Sequence, residues 1–263
     1  MSALLAASED GFEAPTTASF WQPLFGTDGT WAVTRSSVVI LLSVALIALW
    51  LLATTRRMAV VPGKAQFFTE SFYGLVRNSV ARDIIGSRDF LKFVPLLFSM
   101  FVLILVNNLF GVIPPVQFPT MSRIGFPAAL ALIVFVVYHF VGIRRMGVGG
   151  YFKHMIPPGV PAWVLGLLVP LELITYFFTR PVTLALRLFG NMFAGHLLLV
   201  LFITGGEYLM FQAGSAGLIP AGALSFVMAF IMTIFELLVE FLQAYIFVLL
   251  AALYIAGSLA DEH

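Results

Sequence analysis

The sequence predicts an all-α polytopic membrane protein, and three observations carry that prediction. Hydrophobic residues make up 60% of the 263 residues and charged residues only 10%, where soluble domains carry roughly 25% charged. The mean hydropathy of +1.01 leaves too little polar surface to cover a water-soluble globule. The apolar residues also gather into segments long enough to cross a hydrocarbon core of about 30 Å. The same composition excludes other chemistry. There is no cysteine, so disulfides, thiolate metal sites and cysteine nucleophiles are absent. A net charge of +1 argues against a nucleic-acid partner.

The chain opens on "MSALLAASEDGFEAPTT", which is acidic and lacks the basic start of a cleaved signal peptide. Residues 1–34 are therefore expected to form a mature segment on the outer surface. The first span covers residues 38–54 and stops at Arg56 and Arg57. A charged, amphipathic connection follows from Pro62 to Lys92. The second span is "FVPLLFSMFVLILVNNLFGVI", ended by Pro114 and Pro115, and the third runs over residues 126–143 to Arg144 and Arg145. Gly and Pro between 147 and 161 predict a loop. Residues 35–161 thus form a three-span region.

Two longer apolar regions follow, residues 163–204 and 221–258. Each would exceed about 55 Å as a straight helix, so each must tilt steeply, break or bend. Pro170 and Pro181 offer kink points in the first. Residues 162–258 are read as a strongly tilted helical hairpin turned at "GGEYLMFQAGSAG", followed by a short tail, 259–263. Ten of the 14 Lys and Arg lie in connections 56–92 and 144–153. If the spans alternate, these share one side, which the positive-inside rule makes the cytoplasm or matrix. The N-terminus is then outside and the C-terminus inside.

Ionisable residues within such spans are costly and mark ion paths more often than structural pairs. At 100° per residue, Arg180 and Arg187 fall within about 20° of each other, with Asn191 one turn on. His196 faces the opposite way. Glu236, Glu240, Gln243 and Tyr254 line one stripe of the last helix. Each has a plainer alternative. Arg187 could pair with Glu236 or Glu240 as a structural ion pair. Arg180 either snorkels or positions the chain before Pro181. Asn191 and Gln243 either join helices by hydrogen bonds or serve a proton path, and Glu240 is either neutral and structural or part of that path. His139 reads as a structural histidine of the third span. Bis-histidine haem ligation would need a partner at helical spacing, and none exists. "GVGG" lacks the Lys-Ser/Thr of a phosphate-binding loop. No metal, nucleophile or glycosidase grouping appears, so the chain reads as no enzyme by itself, with no cofactor.

"LRLFGNMFAGH" followed by "ELLVEFLQAYIFVLLAALY" resembles the two signature helices of subunit a, the stator channel subunit of rotary F-type ATP synthases. "NNLFGVIPP" resembles that family's asparagine-containing span, and "PPGVPAW" leads into the first long helix as its loop does. The resemblance covers roughly residues 60–258. It implies that Arg187 is the stator arginine facing the rotor carboxylates. It implies a proton path of His196, Glu236, Asn191, Gln243 and Tyr254, with Arg180 and Asn108 in positioning roles; Glu240 departs from the family pattern. His196 before Glu236 resembles the mitochondrial and alphaproteobacterial order.

The implied partners are a rotor ring of small membrane subunits, peripheral stalk subunits, the soluble nucleotide-binding sector and the lipid bilayer. The implied location is a bacterial inner (plasma) membrane, with the mitochondrial inner membrane as the alternative. Two offset half-channels would carry protons to and from the ring. The competing class is a proton-coupled secondary transporter, which predicts inverted repeats. The first three spans and the final hairpin show no such symmetry.

Overall fold

The computed structural model describes residues 23–25, 33–56, 58–113, 118–155, 161–212 and 214–259. Most of the expected N-terminal surface segment, Arg57, the proline stop at Pro114 and Pro115 and the end of the C-terminal tail lie outside these residues. A short antiparallel pair, β1 (Pro23–Phe25) with β2 (Val33–Thr34), precedes an otherwise helical chain. The helices are α1 (Arg35–Thr55), α2 (Lys64–Gly74), α3 (Phe90–Val112), α4 (Gly125–His154), α5 (Ala162–Ile174), α6 (Arg180–Glu207) and α7 (Ile219–Leu259). Five helical segments among the described residues are long and apolar enough to cross a membrane, the last two spanning Trp163–Gln212 and Ala216–Leu259. The chain is an all-α polytopic membrane protein.

The chain divides into two compact units. The larger holds residues 36–193 and 239–263. Its core is set by the inner face of α7, where Ala244, Phe247, Val248, Ala251 and Ile255 recur at helical spacing and are all buried. Three alanines on that face, Ala244, Ala251 and Ala252, let neighbouring helices approach closely, which is how helices gain packing energy inside a bilayer. Leu97, Phe101 and Ile104 of α3, Val134 and Tyr138 of α4, and Leu184 and Leu188 of α6 complete the core.

The amphipathic connection is itself helical. After α2 it continues as a π-helical stretch, Leu75–Ile85, that buries Val76, Val80 and Ala81 and leaves Arg77 and Arg82 exposed. The indole of Trp50 donates to Thr69 Oγ1 at 2.9 Å and ties the end of α1 to α2. Asp89, just before α3, accepts from Lys92 at 2.7 Å and from Arg145 at 3.2 Å. That ion pair joins the 56–92 connection to the end of the third span, so both lie on one side, as alternating spans require. The hydrogen bond from Lys92 holds the Asp89 carboxyl below the usual carboxylate range, outweighing the opposing effect of burial. A carboxyl held low keeps its clasp above the ordinary carboxylate range and loses it only as pH falls through the lowered value.

Two boundaries differ from the sequence expectation. The predicted loop at 147–161 is helical as far as His154, interrupted only at Gly147, whose φ is 73° and ψ 165°. Glycine tolerates that left-handed conformation without a Cβ clash. The turn past Gly147 is then pinned by Tyr151, which is fully buried against Gly142. A Cβ on Gly142 would collide with the Tyr151 ring and sit 3.3 Å from the Ser258 side chain. Gly142→Ala is therefore expected to destabilise by about 1–3 kcal/mol through overpacking. Gly149→Ala, where nothing lies within 4 Å, should be close to neutral; thermal unfolding of the two purified variants makes the comparison.

The smaller unit contains the described N-terminal residues with 194–238. The expected turn begins late, because α6 runs on through a π-helical Tyr208–Gln212 before Gly214 turns the chain at φ 64°. Gly206 and Gly222 bring the two arms into backbone contact: a Cβ at Gly222 would lie 2.9 Å from the Gly206 carbonyl oxygen. Ser225 Oγ donates to the Phe202 carbonyl at 2.7 Å across the same hairpin.

Candidate functional site

The residues singled out above fall into separate groups. Proline shapes the first. Pro181 has no N–H, so the carbonyl of Phe177 loses its helical partner. The backbone answers with a π-helical stretch, Thr175–Thr179, between α5 and α6. This widening sets the register of Arg180. Its guanidinium lies 3.5 Å from the Tyr176 ring centroid and 5.2 Å from that of Tyr254. Arg180 is thus held by aromatic faces, whose negative quadrupole attracts a cation. Tyr138, packed on Tyr254, donates its hydroxyl to the Tyr176 carbonyl at 2.6 Å.

Two turns along α6 stands Arg187. It is exposed on the helix surface and makes no hydrogen bond or ion pair with the described residues. Within its own unit, Glu240 forms no salt bridge with it among the described residues. Asn191, one turn further and also exposed, donates to Gln243 Oε1 of α7 at 2.8 Å. Gln243 is 2% exposed. Glu240, one turn earlier on α7, is 3% exposed. Its backbone carbonyl accepts from Asn108 Nδ2 at 3.3 Å, and its carboxylate lies beside Gly111 of the same helix, α3. Asn107, next to Asn108, instead donates to Ser43 Oγ of α1 at 2.8 Å.

In the smaller unit His196 is 6% exposed and Glu236 5%. The Glu236 carboxylate lies over the backbone of Gly195, with Oε1 2.8 Å from where a Cβ there would stand. Glycine at 195 is what admits this acid next to His196. Glu236 Oε1 has no hydrogen-bond partner among the described residues. Leaving a buried carboxylate oxygen unsatisfied is costly.

His139 has a structural setting. Its Nδ1 bonds the Phe135 carbonyl at 3.0 Å, and its ring packs among Phe135, Tyr138 and Phe177. Among the described residues no group of His, Asp and Glu could hold a metal. Two residues escaped the sequence reading. Tyr176 was signalled by its place four before Arg180, the spacing at which helix neighbours meet. Glu172, half-buried on α5, is an acid in an apolar run, the same signal that drew attention to Arg187.

Comparison with known proteins bears on the whole arrangement. The family model for the ATP synthase A chain matches residues 37–256. The ATP synthase subunit a of Nocardioides sp. is 45% identical over 273 residues, covering 100% of this chain and 98% of the relative. That of Pseudarthrobacter chlorophenolicus is 45% identical over 235 residues, covering 87% and 86%. That of Streptomyces lividans is 39% identical over 259 residues, covering 96% and 90%. A likeness that spans the helices carrying Arg187, His196, Glu236 and Gln243 admits one reading: this chain belongs to the ATP synthase subunit a family.

Proposed function

We propose that the chain is the stationary proton-conducting subunit of an F-type ATP synthase, forming two offset half-channels that serve the carboxylates of a rotor ring. Protons enter from outside by way of His196 and Glu236, assisted by the Asn191–Gln243 pair, with Glu240 and Tyr254 as further polar members. They leave to the inside after the rotor has turned. Asn108 and Arg180 position the helices around this path. The tilted hairpin lies against the ring, peripheral stalk subunits hold the chain still, and ATP forms on the soluble sector. The membrane is a bacterial plasma membrane, with the N-terminus outside and the C-terminus inside.

One observation carries the reading: Arg187 stands exposed, with no intrachain counter-ion among the described residues. An unpaired guanidinium within an apolar helix is expensive, so its partner is expected on another chain. A passing acid answers that need. Arginine keeps its proton in practice, so it can attract a carboxylate without itself handing a proton across. The affinity-tagged chain, extracted from its own membranes, should come out with a ring of small subunits and a nucleotide-binding head. A chain that purifies alone from intact membranes overturns the assignment.

A further inference from the structure

The ends of three spans surround a cavity of about 500 Å³ that lies apart from the residues of the proton path. Its charged walls are Asp89, Lys92, Arg144 and Arg145; Phe140 and Leu259 are among its apolar ones. Asp89 serves two of the three cations, at 2.7 Å to Lys92 and 3.2 Å to Arg145. Among the described lining residues one carboxylate faces three cations, an excess of two positive charges. Arg144 makes no hydrogen bond or ion pair with the described residues and is exposed.

The place of this excess charge matters. α3 begins at Phe90, α7 ends at Leu259, and the apolar part of α4 stops at Arg144. The cavity therefore sits where hydrocarbon gives way to water. One turn before Arg144, Phe140 is 60% exposed and faces outward from the helix. A cationic rim above an apolar wall suits a ligand with an anionic head and an aliphatic body. Free phosphate would satisfy the rim and leave the wall unused.

We propose that this cavity binds the phosphate head of an anionic phospholipid, whose acyl chain lies along Phe140. Lys92 and Arg145 are held in place by Asp89, and Arg144 is the cation available to close on the phosphate. The inference is independent of the proton path, since it needs only a membrane-spanning chain with this rim.

The test uses the intact synthase in phosphatidylcholine vesicles doped with a photoreactive phosphatidylglycerol. Labelling of this chain is expected within residues 89–93 or 140–145. Arg144→Gln should lower it about fivefold, the effect of one basic residue near an anionic surface. Arg144→Lys should keep most of it, and Asp89→Asn should raise it. Millimolar inorganic phosphate should leave it unchanged. Equal labelling by a photoreactive phosphatidylcholine overturns the proposal, as does displacement by inorganic phosphate. So does release of another subunit from the Arg144→Gln complex with lipid labelling intact, which would make the cavity a protein-docking site. The ATP synthesis rate of each variant reports assembly. Should Arg144→Gln not assemble, the rise in Asp89→Asn decides alone.

Discussion

Replacing Arg187 by lysine or alanine is expected to abolish proton-driven ATP synthesis by the reconstituted complex, and the two variants should fail differently. Arginine delocalises its charge over a planar group and does not deprotonate in proteins, whereas a lysine taken out of water loses its proton readily. Arg187→Lys can therefore keep the shape of the contact but not a guaranteed charge, and a neutral amine could itself ferry a proton between the proposed half-channels. Arg187→Ala removes the charge outright. An opposite charge at close range favours the ionised carboxylate by a factor of about 10 to 10³, so proton release from the rotor should slow by that order. If Arg187 separates the proposed half-channels, passive proton flux through stripped vesicles should rise in Arg187→Ala. Synthesis near the wild-type rate in either variant would remove the arginine from the mechanism.

The second large effect is expected at Glu236. Its carboxylate is buried, rests on Gly195 and keeps one oxygen without a partner among the described residues. Glu236→Gln preserves shape and polarity and removes only the exchangeable proton. Losing a positioned proton-transfer group costs on the order of 10²-fold or more, and synthesis at modest driving force should fall accordingly. Gly195→Ala is the graded companion. The added methyl has to displace the same carboxylate, so it should slow proton uptake less than Glu236→Gln does and leave the acid in the chain. Proton pumping measured against pH separates the two, since only Glu236→Gln removes a titrating group. If Glu236→Gln pumps like the wild type, the inlet lies elsewhere.

The membrane class and the five apolar segments were legible in the sequence because each depends on composition and spacing along one helix. A run of more than twenty apolar residues has few alternatives to crossing a bilayer, and a lone arginine within it advertises its cost. What the sequence did not disclose depends on partners far apart in the chain. Asn108 meets the Glu240 backbone across 132 residues, and Asp89 meets Arg145 across 56. Neither partner can be chosen from periodicity alone. The stretch 147–154 misled for a local reason. Three glycines in "GVGGYFKH" predict a loop by propensity, yet one left-handed residue followed by a buried tyrosine is enough to resume a helix. The sequence leaves Arg180 between snorkelling and positioning the chain, and its aromatic clamp cannot be read there, because Tyr254 arrives from the other end of the chain.

The joint at Gly142 also constrains the order in which the molecule can be built. The Tyr151 ring and the Ser258 side chain both flank that glycine, so the far end of the third span leans on α7, a helix translated later. Translation must reach residue 258 before Tyr151 has its full set of neighbours. The third span can enter the bilayer early, but its final two turns lock only after α7 has been made. A chain cut before Ser258 would leave that latch open.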